Sequence, residues 1–398
     1  MGPLKRVSHP MAEANVLFLD KEGGFGGSSR SLYFLIKHLD RGRILPVVAL
    51  REPGPALEWY SKLGIRTFLF EDMPGYKPSP RNNLWVLLLF LLRIVSFWSS
   101  CRFLSCLARE NKIDIIHMNH DSFFVYASFL KRFTGSKILI HMRTMLPANR
   151  YAALQAKWIE KRADHLVFIS ENEFKRYSEL LGYRSAKGSV IFNTCEVSDT
   201  LSSLHGSKDH VFKVLYLGNL TYNKGADRLI DLALEIKSRG IKDILFVVCG
   251  EDRGKKGEEA EGTMTFRAER AGVKPYFRFM GHQEEPERFI READALIRLS
   301  RWNDPWGRDI IEAMANGKPV LATGTYDRFV EHGVNGFLHS EYDPRKLVDD
   351  ILRLSVDPDL CSRFGRANIA KAKELFDGPS NAAKVEDIYE ALLTGAGG

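Results

Sequence analysis

Short apolar runs of strand length alternate along this chain with stretches of helical period, and the series runs through once and then starts again. Apolar runs separated by amphipathic helices imply parallel sheets covered on both faces, because the strands of βαβ units are buried above and below. The first series reads NVLFLD (15–20), ILPVVAL (44–50), IRTFLF (65–70), IDIIHMN (113–119), KILIHM (137–142), HLVFIS (165–170) and SVIFN (189–193). The second reads FKVLYLG, a helix over 225–239, DILFVVCG, a charged loop with a helix, FRFMGH, a helix over 286–293, ALIRLS, a helix over 308–316, and KPVLAT. Between them lies TCEVSDTLSSLHGSKD (194–209), polar and without period, which reads as a linker.

At 398 residues the chain exceeds what one hydrophobic core usually serves. The expected fold is therefore α/β, with two Rossmann-like domains whose parallel sheets face a cleft. The expected boundaries are a disordered arm over 1–14, an N-terminal domain over 15–193, the linker, and a C-terminal domain over 210–379. The last helix, Ala382 to Leu393 within 380–398, is expected to return to the first domain.

Lys and Arg outnumber Asp and Glu by 57 to 50, a net +7 that favours anionic partners. Zinc-finger spacing, aromatic RNA-binding signatures and dense basic stripes are missing, so no nucleic acid partner is expected. Cys101, Cys106, Cys195, Cys249 and Cys361 are scattered without CxxC pairs, which implies a reducing, cytoplasmic setting. The N-terminus has no apolar run suited to a secretory signal. Leu84 to Trp98 (LWVLLLFLLRIVSFW) is unusually apolar, but it is shorter than the ~20 residues of a spanning helix and carries Arg93. Continued to Arg109, this segment reads either as a helix lying on an anionic membrane surface or as a buried helix of the first domain.

Two elements of the second series carry chemistry. A strand ends in Gly218-Asn219-Leu220-Thr221-Tyr222-Asn223-Lys224-Gly225 and enters a helix, and helix N-terminal NH groups beside an ammonium suit a diphosphate. Alone, such a turn is an ordinary strand-to-helix connection. The second element is Asp304-Pro305-Trp306-Gly307-Arg308-Asp309-Ile310-Ile311-Glu312-Ala313-Met314-Ala315-Asn316-Gly317-Lys318-Pro319-Val320. Asp304 lies on the loop before a helix and Glu312 on the helix, so both can face one cleft. The loop NH groups suit a sugar phosphate, and Glu312 can accept hydrogen bonds from vicinal hydroxyls. The plain alternative makes Asp304 a cap-region residue and Glu312 a solvated helix position.

This pattern resembles glycosyltransferase family 4, the retaining GT-B enzymes that use nucleotide sugars. The family carries an acid, seven residues and then Glu, in a Glu-Pro/Gly-Phe-Gly...Glu-Ala-Met-Ala-x-Gly-x-Pro-Val setting. Lys224 falls on the family's diphosphate lysine, and Val330 to Leu338 (VEHGVNGFL) resembles the segment that follows. The resemblance implies that Glu312 holds the ribose, that Asp304 with Pro305, Trp306, Gly307 and Arg308 holds the transferred sugar, and that Lys224 with Gly218, Asn219 and Gly281 serves the donor. In the first domain, Gly23 to Arg30 (GGFGGSSR) follows a strand as the family's glycine loop does, placing Gly26 and Gly27 near phosphate or acceptor. His141 falls on the family's histidine that contacts donor sugar and phosphate, whereas His117 and His120 read as structural.

Asp304, Lys224 and His141 are thus the expected catalytic set. The co-substrate is a UDP- or GDP-linked sugar, the acceptor is a glycan or lipid-linked hydroxyl, and neither cofactor nor metal is required. Asp357-Pro358-Asp359 has DxD spacing but belongs to a helix-ending turn. Four departures stand out: Asn219 replaces a phosphate-binding Arg, Asp304 is shorter than Glu, Trp306 stands for Phe, and Arg328 sits where Glu is common. Arg301 and Arg143 are candidates to restore the missing cation. Two rival readings remain: a catalytically weak protein that binds nucleotide sugar, and a dinucleotide-dependent epimerase or dehydrogenase, whose GxGxxG spacing the Gly23 to Gly27 cluster does not keep.

Overall fold

The computed structural model describes residues 14–75, 88, 91–199, 201, 211–251, 263–301, 304 and 307–395. The chain divides into two compact units, one of Met1–Thr194 with Gly378–Gly398 and one of Cys195–Asp377. The arm over 1–13 and most of 194–209 lie outside the described residues.

The first unit is built from strands β1 (Ala14–Asp20), β2 (Ile44–Leu50), β3 (Arg66–Leu69), β4 (Ile115–Met118), β5 (Lys137–Met142), β6 (His165–Phe168) and β7 (Gly188–Val190). They form a parallel sheet in the order β3-β2-β1-β4-β5-β6-β7. Between them run α1 (Gly27–His38), α2 (Ala56–Lys62), α3 (Ile94–Glu110), α4 (Phe124–Thr134), α5 (Arg150–Arg162) and α6 (Glu171–Leu181). Two of them start with a side-chain cap: Asn149 accepts from the NH groups of Tyr151 and Ala152 to open α5, and Ser170 caps α6.

The second unit carries β8 (Phe212–Leu217), β9 (Ile244–Cys249), β10 (Phe277–Gly281), β11 (Ala295–Arg298), β12 (Val320–Thr323) and β13 (Gly336–His339), ordered β10-β9-β8-β11-β12-β13. Its helices are α7 (Arg228–Ser238), α8 (Met264–Arg270), α9 (Glu287–Glu292), α10 (Arg308–Ala315), α11 (Pro344–Val356) and α12 (Pro358–Leu375). Asp357 ends α11 and caps α12 by accepting from the NH of Leu360 at 2.8 Å, which gives the DxD triplet a capping role.

In each sheet the strand order reverses once, between β1 and β4 in the first unit and between β8 and β11 in the second. Open parallel sheets hold ligands beyond the strand ends at such a reversal, because flanking crossovers diverge there and leave a crevice.

The final helix, α13 (Gly378–Thr394), belongs to the first unit. Ala382, Val385 and Tyr389 join the core under β1, β2, β4, β5 and β6 together with Val16, Phe18, Ile115, Leu139 and Val167. Glu386 accepts from the NH of Asp40 at 2.7 Å, and Arg43 pairs with Glu390 at 3.0 Å. α3 divides along its length. Cys101, Leu104 and Leu107 enter the core, while Leu91, Leu92, Val95 and Trp98 at and before its start are exposed, Leu92 by 80%. Among the described residues no helix is long and apolar enough to cross a membrane.

Candidate functional site

At the end of β8 the chain does not enter an α-helix directly. Tyr222–Lys224 forms a 3-10 turn capped by the Thr221 side chain, and α7 begins only at Arg228. The expected helix over 225–239 therefore starts three residues late, and Lys224 ends the turn rather than opening the helix. Gly225 reverses the chain at φ 71°, where a Cβ would lie 1.9 Å from the carbonyl oxygen of Leu299, so glycine alone fits. Arg228 Nη1 donates to that same oxygen at 2.9 Å, and the NH of Arg301 donates to the Asn223 carbonyl at 2.9 Å. The turn after β8 is thereby stitched to the end of β11.

This stitching places Lys224 Nζ 3.2 Å from Asp304 Oδ2. The same oxygen accepts from Arg298 Nη2 at 2.8 Å, and Arg298 Nε donates to the Asp304 carbonyl at 2.8 Å. Arg298 Nη1 also reaches both oxygens of Asp309, at 2.7 and 2.9 Å. Two cations thus face two carboxylates at the reversal point of the second sheet. Burial would lower the Arg298 guanidinium, but Asp309 and Asp304 outweigh it and hold it above its usual value. Burial would raise Asp304, but Arg298 and Lys224 hold its carboxyl below the usual range. The Lys224 ammonium is lowered by burial and by Arg298, against the pull of Asp304.

The sequence reading missed Arg298. Its signal is a lone cation at the end of the apolar strand ALIRLS, in a position that is 7% exposed. Gly307 caps α10, and a Cβ there would lie 2.2 Å from Arg298 Nη1 and from Asp309 Oδ1, so the glycine makes room for this ion pair. On α10, Glu312 is 7% exposed and Arg308 Nε lies 2.7 Å from its Oε1, so Glu312 is a buried, paired carboxylate rather than a solvated one. Pro305 and Trp306 lie outside the described residues.

Gly218 follows β8 and donates its NH to Cys249 at 3.0 Å, while Asn219 exposes its side chain. Gly281 ends β10, separated from β8 by β9, and is not part of the Lys224 cluster. Of the cations considered for the position opposite Asn219, Arg301 is forked on Asp227 at 2.7 and 2.7 Å and lies 3.7 Å above the Tyr222 ring, so it braces the turn. Arg143 belongs to the first unit, where Asn119 and Asn193 accept from it.

In the first unit, β1 ends in Asp20, a fully buried carboxyl that burial raises despite donors from Ser29, Asn119 and the NH of Lys21. Ser28 Oγ donates to Glu22 at 2.5 Å. Gly26 and Gly27 therefore open α1 beside two carboxylates, and its first hydroxyls are turned onto them. Ser28 also ties this loop to β4, since its carbonyl accepts from Asn119 at 3.1 Å.

His141, on β5, is 4% exposed and borders a small cavity with Arg143, Ser31, Asn193 and Asn381. Its Nδ1 lies 3.2 Å from His117 Nε2, and His117 Nδ1 lies 2.6 Å from the Tyr389 hydroxyl. Burial and then the Arg143 charge push both rings well below their usual value, so both are neutral near pH 7. His120 caps the turn after β4 by accepting from the NH of Ser122 at 3.0 Å.

The chain is similar to known proteins over both units. Residues 198–371 match the family model described as glycosyl transferases group 1, and residues 25–198 match the one described as glycosyltransferase family 4. A D-inositol 3-phosphate glycosyltransferase of Corynebacterium jeikeium is 30% identical over 183 residues, 44% of this chain and 43% of that protein. A mannosylfructose-phosphate synthase of Agrobacterium fabrum is 30% identical over 171 residues, 41% of this chain and 37% of that protein. The chain thus spans less than two thirds of the length of either relative. In fold, it superposes on Anabaena HepE, solved in complex with UDP-glucose, with a TM-score of 0.77 at 20% identity, covering 95% of this chain and 99% of HepE.

Proposed function

The chain belongs to the glycosyltransferases of group 1 and family 4, and from that premise we propose that it moves a hexose from a UDP- or GDP-linked sugar to a hydroxyl of a glycan or lipid-linked acceptor. The observation that carries this reading is the convergence of Lys224 and Arg298 on one oxygen of Asp304 at the strand-order reversal of the second sheet, where a diphosphate would meet two cations. The UDP-glucose complex of HepE supports a uridine nucleotide first among the donors to test.

In this reading the bond from the sugar's anomeric carbon to the diphosphate oxygen breaks, and the negative charge that grows on that oxygen meets Lys224 and Arg298. Preorganised charge aimed at a developing anion is often the largest single contribution to catalysis. Because two side-chain cations supply it, no metal is required. The acceptor hydroxyl bonds to the anomeric carbon on the face the nucleotide leaves, with retention, and its proton passes to the departing diphosphate. Asp304 accepts from hydroxyls of the transferred sugar, and Glu312 from those of the ribose.

A place at the cytoplasmic face of a membrane, in surface polysaccharide or glycolipid synthesis, is supported by the exposed apolar residues Leu91, Leu92, Val95 and Trp98 beside Arg93 and Arg102. Incubating the protein with a panel of nucleotide sugars and following nucleoside diphosphate release tests the central reading.

A further inference from the structure

His117 on β4 and His141 on β5 are held in a fixed relation by the sheet. His117 aligns with Leu139 in the parallel register, so His141 stands two residues further along. Residues two apart share a sheet face, and diagonal neighbours across strands lie within reach of ring side chains. That face is covered by α13, which brings Tyr389 to His117. The two imidazoles stack with centroids 5.4 Å apart.

Three hydrogen-bonding groups therefore stand in a row, and proton counting fixes their direction. The Tyr389 hydroxyl is fully buried, and among the described residues its one hydrogen-bond partner is His117 Nδ1. A hydroxyl has a single proton, and a buried donor left without an acceptor is costly, so the proton goes to Nδ1. A neutral His117 that accepts at Nδ1 must carry its own proton on Nε2, and it then donates to His141 Nδ1. A neutral His141 that accepts at Nδ1 must carry its proton on Nε2. No protein partner of His141 Nε2 is found among the described residues.

We propose that Tyr389, on the C-terminal helix, acts through His117 as a positioning residue that sets His141 in the Nε2–H tautomer, so that His141 presents a hydrogen-bond donor to an oxygen of the substrate. The inference rests on the reading of His141 as a substrate contact. It also explains a feature of the chain's course. The chain leaves the first unit at Thr194 and returns at Gly378, and the returning helix supplies the hydroxyl that orders two histidines more than 240 residues earlier. Neutrality of both rings, which the counting requires, follows from their burial and from the Arg143 charge beside them. Burial, and then the Glu386 carboxylate on the same helix, push the Tyr389 hydroxyl up and keep it protonated.

Nitrogen-15 spectra of the full-length, histidine-labelled protein decide the point, with the His141 signals assigned by their loss in His141→Asn. The expected wild-type spectrum has a pyrrole-like Nε2 and a pyridine-like Nδ1 on His141 at neutral pH. In Tyr389→Phe, the bias is removed and His141 shifts to a mixture or to the Nδ1–H form. Sugar transfer by this variant falls mainly in kcat rather than KM, and free nucleoside diphosphate binds unchanged. A wild-type His141 in the Nδ1–H form overturns the proposal even if no variant folds, as does an unchanged tautomer in folded Tyr389→Phe. The spectrum needs no donor or turnover, so it stands apart from the failure of the proposed function, which would show as absent nucleotide release.

Discussion

The Asp304 carboxylate occupies the Lys224 ammonium at 3.2 Å, and the same oxygen takes Arg298 at 2.8 Å. On sequence grounds Asp304→Asn should slow turnover and leave nucleotide affinity nearly unchanged. The geometry alters the second half of that expectation, because Asp304 competes with a diphosphate for both cations. Asp304→Asn is now expected to bind free nucleoside diphosphate more tightly, by about tenfold or ~1.4 kcal/mol, while donor hydrolysis falls. Calorimetry beside hydrolysis rates measures both. Unchanged or weaker affinity would mean that Lys224 does not bind the diphosphate.

Glu312→Gln should weaken nucleotide binding, since hydrogen bonds to a charged acceptor contribute roughly 1.5–3 kcal/mol. The ribose assignment is checked by comparing the diphosphate of uridine with that of 2′-deoxyuridine. Wild-type protein is expected to prefer the ribonucleotide, and the variant to lose that preference. A preference that survives in Glu312→Gln would reduce the carboxylate to its pairing with Arg308.

The lowered Lys224 gives a pH signature. A lysine whose folded value lies below its ordinary 10.5 is increasingly neutral as pH rises through that lowered value, and a bound diphosphate pulls its proton back. Nucleoside diphosphate binding should therefore take up protons on the alkaline side, below pH 10.5, and affinity should fall as pH rises through that window. Calorimetry in buffers of different ionisation enthalpy reads the uptake, and Lys224→Met should abolish it. Uptake that persists in the variant would assign it to another group.

Much of the fold is legible in the periodicity. Ile44–Leu50 and Lys137–Met142 are strands over the expected bounds, because continuous apolar runs have no other place than a doubly covered sheet. Gly336–His339 was not among the expected strands, because four residues opening on glycine are too short to stand out by periodicity, and the segment was legible only through the resemblance of Val330 to Leu338. The Asp304 to Glu312 spacing was legible as a motif, but the ion pair to Lys224 was not, since Lys224 joins Asp304 across 80 positions only when β11 is placed beside β8. The contact of Tyr389 with His117 bridges 272 positions, and no local pattern announces it.

Peripheral membrane attachment predicts that the protein sediments with liposomes containing anionic lipid at low salt and is released as salt rises, because exposed charges are screened within ~10 Å at 0.1 M. Replacing Leu92 and Val95, 80% and 78% exposed, by serine should weaken sedimentation without unfolding the protein. Failure of the wild-type protein to sediment would remove the membrane from the account.

The central claim is that Lys224 and Arg298 serve the departing diphosphate of a nucleotide sugar. Its most direct test is nucleoside diphosphate release from UDP- and GDP-linked hexoses by wild-type protein and by Lys224→Met, both verified as folded. Release is predicted from at least one donor, with a loss of about 10²–10³-fold in the variant, the scale seen when one stabiliser of a developing anion is removed. Nucleotide binding without release from any donor, or equal release by both proteins, would contradict it.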